Sequence, residues 1–135
     1  MILCSGVFDG LHAGHVAYLR AAYGLGQGRE PVVVALANDQ YVRQVKQRVP
    51  RWTVDQRAMV LFELRTVARI VYHGPKGAVT AIQHLRPRVF VKGKDWEGLL
   101  SPEIHEACEA CGCQIVYVDS GVTGHSSDDA LSAHE

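Results

Sequence analysis

Two histidines follow a short apolar segment near the amino terminus, within the run Gly6-Val7-Phe8-Asp9-Gly10-Leu11-His12-Ala13-Gly14-His15. His12 and His15 are three residues apart, so at a helix start both imidazoles lie on one face and can donate to the same phosphate chain. Gly14 between them leaves room for close backbone approach. A strand, a glycine and then a helix present free N–H groups and a positive dipole end beyond the strand. The pattern therefore predicts an anion site.

The histidine pair has two other interpretations. Histidines at helical spacing are compatible with an exposed helix face, and they are also compatible with two ligands of a zinc site that is completed from elsewhere in the chain. Gly6, Phe8, Asp9 and Gly14 around the pair favour the phosphate site, because they supply the strand-to-helix context that such a motif needs.

Five apolar segments rich in Val and Ile are predicted to be the strands that position this motif, at residues 2–8, 31–37, 68–72, 88–92 and 114–118. They lack the alternation of a half-exposed sheet, which indicates parallel strands covered on both faces. Segments between them show helical spacing, such as Val16, Leu19 and Tyr23, or Met59, Val60, Leu64 and Val67. One helix is therefore expected in each crossover. The sequence predicts a single three-layer α/β domain over residues 1–135, with ligands bound beyond the carboxyl ends of the strands.

Local signals set several helix boundaries. Thr53 followed by Gln56 is typical of a capping box, and Ser101-Pro102-Glu103 supplies an N-cap, a preset first turn and an acid that suits the helix dipole. The glycines at positions 24, 26 and 28 follow a predicted helix and precede a strand. That order is the reverse of a dinucleotide-binding fingerprint, so these glycines predict a helix end and a loop.

The pattern G-x-F-D-x-x-H-x-G-H at residues 6–15 resembles the nucleotidyltransferase superfamily defined by the H-x-G-H motif, in the form of its cytidylyltransferase-like branch. Residues 55–61 resemble the E-R-x-x-x-L helix start of that family, and residues 89–96 continue the resemblance, which covers most of the chain. It implies a Rossmann-like fold and an enzyme that transfers a nucleoside monophosphate from CTP or ATP to a phosphorylated small molecule, with release of pyrophosphate. Mg²⁺ is expected with the nucleoside triphosphate, and a homodimer is the expected assembly.

Site residues follow from this resemblance and from the predicted topology. The expected catalytic residues, which neutralise charge on the triphosphate, are His12, His15, Lys46 and Arg57. The expected nucleotide-binding residues are Gly6, Val7, Phe8, Asp9, Gly14, His15, Lys92, Gly93, Ser126 and Ser127. The expected acceptor-binding residues, beyond the fourth strand at the switch point of the sheet, are Asp9, Lys92, Lys94, Asp95 and Trp96. No residue is assigned as a resident metal ligand.

The segment around Ser126 and Ser127 departs from the family pattern. His125 precedes the two serines, and Asp128-Asp129 follow them. Two acids suit a helix N-terminus but repel a phosphate that they face. Simple capping of a helix by one of the serines is therefore the alternative to phosphate binding.

The acceptor is predicted only by class. Residues 94–98 resemble glycerol-3-phosphate cytidylyltransferases, residues 86–93 resemble the adenylyltransferase part of bifunctional heptose enzymes, and residues 8–15 are shared with flavin adenylyltransferases. We expect a polyol or sugar phosphate such as glycerol 3-phosphate, with a heptose phosphate or flavin mononucleotide as alternatives. A nucleotide-binding accessory protein without turnover is the non-enzymatic alternative.

Composition argues against several other partners. Lys and Arg together number 14 and Asp and Glu also number 14, so no global basic field is available to hold nucleic acid. No apolar run reaches the length of a membrane span and no signal-peptide pattern is found, so a cytoplasmic protein without a membrane partner is expected.

Three of the four cysteines, Cys108, Cys111 and Cys113, lie within six residues. With His105 they could form a structural metal site, but buried free thiols that act as small apolar side chains are the favoured interpretation.

Overall fold

The computed structural model describes residues 1–119 of the chain. Within them a single sheet of parallel strands is formed by β1 (Ile2–Gly6), β2 (Val32–Ala37), β3 (Arg69–His73), β4 (Val89–Gly93) and β5 (Gln114–Val118). The strand order is β3-β2-β1-β4-β5. β2 and β3 therefore extend the sheet on one side of β1, and β4 and β5 extend it on the other side. This order places a topological switch point between β1 and β4, where ligands of such sheets bind.

Helices cover both faces of the sheet, as continuous apolar strands require. They are α1 (Ala13–Leu25), α2 (Asp39–Gln44), α3 (Val54–Leu61), α4 (Val79–Leu85) and α5 (Pro102–Cys111), and a short 3₁₀ turn spans Lys94–Trp96. Cys4, Val34 and Val91 pack on one face with Leu19 and Leu61 of α1 and α3. Leu3, Val33 and Phe90 pack on the other face with Ile82 and Ile104 of α4 and α5. The predicted three-layer α/β fold, of Rossmann-like type, is confirmed.

The capping signals are confirmed. Thr53 and Gln56 form a reciprocal capping box at the start of α3, and the Ser101 side chain accepts from the Ile104 N–H at the start of α5. Gly26 is the C-cap of α1, and Gly28 has a φ of 68° in the turn that follows. The glycine cluster is therefore a helix end and a loop.

The crossover between β2 and β3 differs from the prediction, because it holds two helices where one was expected. Pro50 lies in the loop between them, and a proline removes a backbone donor and disfavours helix in the residue before it. The predicted apolar face of this segment is only partly confirmed: Val67 belongs to the core and Leu64 packs against it, but Met59 and Val60 do not. Met59 is 72% exposed and Val60 is 56% exposed, whereas α3 buries Arg57 and Leu61 against the sheet.

The first strand ends at Gly6, two residues earlier than predicted, because the chain turns sharply after it. Phe8 has a φ of 50°, in the left-handed region that a non-glycine residue rarely adopts. Its ring is nonetheless buried in the core with 2% of its surface exposed. Burial of this large side chain offsets the backbone strain and fixes the direction of the segment that carries the histidines.

Candidate functional site

His12 and His15 form a reciprocal cap at the start of α1. The Gly14 N–H donates to His12 Nδ1 at 3.0 Å, and the His12 N–H donates to His15 Nδ1 at 3.3 Å. The two rings are stacked with centroids 3.8 Å apart. Because each Nδ1 accepts a backbone hydrogen bond, each neutral ring carries its hydrogen on Nε2. The cap thus selects the tautomer that makes both Nε2 atoms donors, which is the property that a phosphate site needs.

The Phe8 ring packs against the His15 ring of this pair. It lies 4.9 Å from the His15 ring and 6.4 Å from the Tyr18 ring, measured between centroids. Gly6 makes the arrangement possible, because a Cβ at position 6 would lie 2.8 Å from Phe8 Cε2. The glycine and the aromatic residue of the motif therefore position the histidines from the end of β1.

Asp9 anchors the loop between α2 and α3. Asp9 is 5% exposed, and its carboxylate accepts from Arg48 Nη1 at 2.8 Å, from the Arg51 N–H at 2.8 Å and from the Trp52 N–H at 3.0 Å. Burial of Asp9 disfavours the charged form, but these hydrogen bonds and the Arg48 charge outweigh it and lower the pKa of the carboxyl. The carboxylate predicted to contact nucleotide and acceptor is thus engaged in holding a loop against the strand end.

Arg57 lies beneath the site and is 2% exposed. Its Nη1 donates to the carbonyls of Val7 and Ala37 at 2.8 and 2.7 Å, and its Nε donates to the Trp52 carbonyl at 2.9 Å. Nη2 donates to Asp39 Oδ1 at 2.9 Å. Four of its five N–H groups are thereby used inside the protein. The residue that was predicted to act on the triphosphate ties together the ends of β1 and β2 and the start of α3.

A cleft of about 470 Å³ opens at the carboxyl ends of β1, β3 and β4. Among the described residues that line it, Lys46, Lys76 and Lys92 carry basic side chains, and none is an Asp or Glu. Its other polar side chains are those of Ser5, Tyr41, His73, Trp96 and Ser101. Apolar walls are supplied by Val7, Val45, Pro75, Ala78, Phe90, Leu99, Leu100 and Ile104. Positive charge beside apolar walls suits an anionic ligand with a substantial carbon skeleton.

Trp96 brings two of these lysines together. Lys92 Nζ lies 4.5 Å from the centroid of the Trp96 ring and Lys46 Nζ lies 5.9 Å from it, both within the range of a cation–π interaction. Lys92 Nζ also donates to the Ser5 carbonyl at 3.1 Å and to Ser5 Oγ at 3.2 Å. Lys46, which follows α2, and Lys92 of β4 are far apart in sequence but converge on one wall of the cleft.

The structure brings only part of the predicted acceptor set to this cleft. Lys92 and Trp96 line it, whereas Lys94 and Asp95, on the same 3₁₀ turn, are exposed and do not. Gly93 permits the turn, because a Cβ there would lie 2.6 Å from Asp95 Oδ1. Ser126 and Ser127 lie outside the described residues.

His73, Tyr41 and Lys76 line the cleft and were not predicted as site residues. A sequence signal existed for His73, because it directly follows a predicted apolar strand and so had to lie at the ligand-binding edge of the sheet. Tyr41 and Lys76 carry no comparable signal, since they belong to a short helix and a turn.

Cys4, Cys108 and Cys113 contribute buried thiols to the core, and the partly buried Cys111 packs against it. Burial raises the pKa of Cys113 to about 12, and burial also raises the pKa of Cys108. In the part of the chain that the structure describes, no group of three or more His, Cys, Asp or Glu residues is arranged to hold a metal. Over the same residues, no helix has both the length and the apolar character needed to cross a membrane.

Comparison with known proteins gives a consistent family. A family model described as cytidylyltransferase-like matches residues 3–133. The chain is 33% identical to the bifunctional protein HldE of Citrifermentans bemidjiense over 99% of its own length, but it spans only 28% of that relative. It is 32% identical to the FAD synthase of Methanopyrus kandleri, covering 84% of this chain and 76% of the relative.

A solved structure shares the fold. The lipopolysaccharide core biosynthesis protein from Thermoplasma volcanium superposes with a TM-score of 0.71 at 22% identity, covering 93% of this chain and 97% of that one. The match of the family model over nearly the whole chain shows that this chain belongs to the cytidylyltransferase-like family, in agreement with its strand-end histidine motif and its parallel sheet.

Proposed function

We propose that the protein is a nucleotidyltransferase that transfers the nucleoside monophosphate of CTP or ATP to a phosphorylated small molecule and releases pyrophosphate. One observation carries the proposal. The Nε2–H donors at the start of α1 and the lysine-lined cleft both lie beyond the carboxyl end of β1. A triphosphate and an acceptor phosphate would thus meet between two sets of cationic or hydrogen-bonding groups.

The reaction needs no protein nucleophile. A phosphate oxygen of the acceptor attacks the α-phosphorus in line, and pyrophosphate leaves on the opposite side. The His12 and His15 Nε2–H groups donate to the triphosphate, where negative charge builds on the bridging oxygen. Lys92 and Lys46 hold the acceptor phosphate in the cleft. In this proposal Arg57 and Asp9 are positioning residues, because they hold the strand ends and the α2–α3 loop.

Mg²⁺ fits this arrangement as a companion of the triphosphate. Asp9, the carboxylate of the motif, has both oxygens engaged by Arg48, Arg51 and Trp52. Mg²⁺ commonly keeps several waters and binds largely through substrate phosphates, so a dedicated protein cage is not required. When bound, the ion would neutralise charge on the departing pyrophosphate.

The acceptor is proposed to be a polyol or sugar phosphate such as glycerol 3-phosphate, on the resemblance of residues 94–98 and the lysines of the cleft. Flavin mononucleotide is a second candidate. The apolar walls of the cleft favour it, and so does the similarity to an enzyme named FAD synthase.

A pyrophosphate-release screen tests the proposal. Four nucleoside triphosphates would be combined with glycerol 3-phosphate, heptose 1-phosphate, phosphocholine, phosphoethanolamine and flavin mononucleotide. We expect release with one combination of nucleotide and acceptor, and we expect chelation of divalent metal to abolish it while the circular dichroism spectrum stays unchanged. Nucleotide binding without release in any combination would favour the non-enzymatic alternative.

Lys92→Met tests whether Lys92 contacts the acceptor rather than the nucleoside triphosphate. The substitution keeps the apolar stem beside Trp96 and removes the ammonium group, so the KM for the acceptor should rise at least ~10-fold, as when a hydrogen bond to a charged group is lost. The affinity for the nucleoside triphosphate, measured by calorimetry, should change little. A variant with only nucleotide affinity reduced would move Lys92 to the triphosphate side of the site.

A further inference from the structure

His73 is a buried imidazole on the wall of the cleft. It ends β3, is 7% exposed and lines the cleft together with Lys46, Lys76 and Lys92. The Tyr41 ring meets it edge-on, with the centroids 4.9 Å apart and the planes at 89°. Packing against Tyr41 therefore fixes the orientation of the imidazole.

The tautomer of His73 follows from its partner. Nδ1 lies 2.9 Å from the Gly74 carbonyl oxygen, which also accepts from the Gly77 N–H at 2.9 Å. A carbonyl oxygen can only accept, so Nδ1 carries the hydrogen in this contact. The neutral ring consequently has its lone pair on Nε2, the opposite arrangement to His12 and His15.

The surroundings of His73 favour the neutral ring. Burial lowers its pKa, and the charges of Lys92 and Arg57 lower it further, against the opposing effect of the Gly74 hydrogen bond. Lys46 and Lys76 add positive charge within the cleft, and none of the described lining residues is an Asp or Glu. His73 thus supplies a hydrogen-bond acceptor, its Nε2, to a cleft whose lysine side chains are hydrogen-bond donors.

We propose that His73 determines acceptor specificity: its Nε2 accepts a hydrogen bond from a hydroxyl or N–H group of the acceptor, while the lysines hold the acceptor's phosphate. The inference rests on the proposed function, since it concerns the acceptor of the same reaction. It predicts that the enzyme selects phosphate esters whose carbon skeleton carries a hydrogen-bond donor, and that it discriminates against esters of the same shape without one.

Two amide variants separate this role from a structural one. His73→Asn keeps a donor near the position of Nδ1, able to reach the Gly74 carbonyl, but removes the group at Nε2. His73→Gln places an amide near the position of Nε2 and gives up the contact with Gly74. If His73 only supported the turn at residues 74–77, Asn would be the better replacement. The proposal requires the reverse order.

Kinetic constants supply the first readout. We expect His73→Asn to lower kcat/KM for the acceptor by roughly 10-fold to 100-fold, the effect of losing one buried hydrogen bond, with an unchanged KM for the nucleotide. His73→Gln should remain within a few-fold of the unsubstituted protein. Equal losses in both variants, or a greater loss in His73→Gln, overturn the proposal.

Nitrogen NMR of the imidazole supplies a readout that does not need turnover. Glycerol 3-phosphate and flavin mononucleotide carry hydroxyl donors, whereas propyl phosphate has the three-carbon skeleton without them. We expect at least one of the donor-bearing compounds to shift the Nε2 resonance of His73, and propyl phosphate to leave it in place. No shift with either donor-bearing compound, or an equal shift with propyl phosphate, overturns the proposal. A selective shift without pyrophosphate release would instead count against the transfer reaction alone.

Discussion

At the scale of single residues, the site uses histidine in two opposite ways. The Nδ1 atoms of His12 and His15 accept backbone N–H groups, which leaves Nε2–H donors for a phosphate chain. The Nδ1 of His73 donates to a carbonyl, which leaves a lone pair on Nε2. In each case a local backbone contact selects the tautomer, so the same side chain serves as a donor on one side of the strand ends and as an acceptor on the other.

His15→Ala should separate catalysis from folding. Loss of a donor that acts on charge in the transition state is expected to lower kcat by roughly 10²-fold or more. Loss of the cap should cost only about 1 kcal/mol of unfolding free energy. Steady-state kinetics and urea unfolding measure the two effects.

His84→Ala, at an exposed histidine on α4, is the matched control and should change neither quantity. A His15→Ala variant with turnover close to that of the unsubstituted protein would show that His15 serves only as a cap.

At the scale of elements, Arg57 links the end of β2 to the residue after β1, just beyond Gly6 and Leu36, the last pair of residues in that ladder. Arg57→Met should leave the buried carbonyls of Val7 and Ala37 without their donor and lower the unfolding free energy by about 2 kcal/mol or more, at about 1 kcal/mol or more for each of these two acceptors. The Trp52 carbonyl, which is only partly buried, also loses its donor. Chemical denaturation measures this loss of stability.

Arg65→Met, at an exposed arginine, is the control, and its free energy of unfolding should lie within about 0.5 kcal/mol of that of the unsubstituted protein. If Arg57→Met were as stable as the unsubstituted protein but had no turnover, the result would instead support the direct contact with the triphosphate that the sequence suggests.

Asp9 makes the attachment of the α2–α3 loop depend on pH. Its folded-state pKa lies below the ordinary value of 3.8, so its contribution to stability is fully present above that value and is lost as the pH falls through the folded-state pKa. Asp9→Asn should therefore destabilise the protein at pH ~7, and the difference from the unsubstituted protein should shrink as the pH approaches ~3.

Denaturation curves at several pH values test this dependence. Glu109→Gln, at an exposed acid on α5, is the control for the loss of one carboxylate, and its free energy of unfolding should lie within about 0.5 kcal/mol of that of the unsubstituted protein. A constant gap between Asp9→Asn and the unsubstituted protein at every pH would contradict the linkage.

At the scale of the whole molecule, several large apolar side chains are exposed on and just after α3 and on the edge strand β3. Met59, Val60 and Phe62 are 72, 56 and 59% exposed, and Tyr72 on β3 is 49% exposed. The Tyr72 hydroxyl donates to Asp55 Oδ1 at 2.8 Å, which joins this edge of the sheet to α3. An exposed apolar face is suited to binding another protein surface, and covering an edge strand protects its unpaired backbone N–H and C=O groups. We propose that two copies of the chain pack here.

Sedimentation analysis tests the proposed homodimer. The unsubstituted protein should sediment as two copies, and the double variant Met59→Glu with Phe62→Glu should sediment as one, because charge is costly to bury in an apolar interface. Leu25→Glu, at the far end of α1, should leave the dimer intact. A single copy for the unsubstituted protein would reject the interface.

The sequence by itself determined the features that depend on neighbours along the chain. Apolar runs predicted the parallel sheet, Thr53 with Gln56 and Ser101 with Pro102 predicted helix starts, and the spacing of His12 and His15 predicted a shared helix face. These signals work because hydrogen bonding within a turn and burial of a whole strand are set by residues that are close in sequence.

Only the tertiary structure decided the features that depend on distant residues. The Lys46–Trp96–Lys92 wall joins the segment after α2 to β4 and the turn that follows it, and Arg57 is buried by hydrogen bonds to carbonyls of β2, of the residue after β1 and of the loop before α3. His73 acquires its tautomer from the adjacent turn, but it gains its place among lysines from the strand order. The physical reason is that charge, burial and the choice of donor or acceptor at a site are set by packing partners, which a local pattern does not specify.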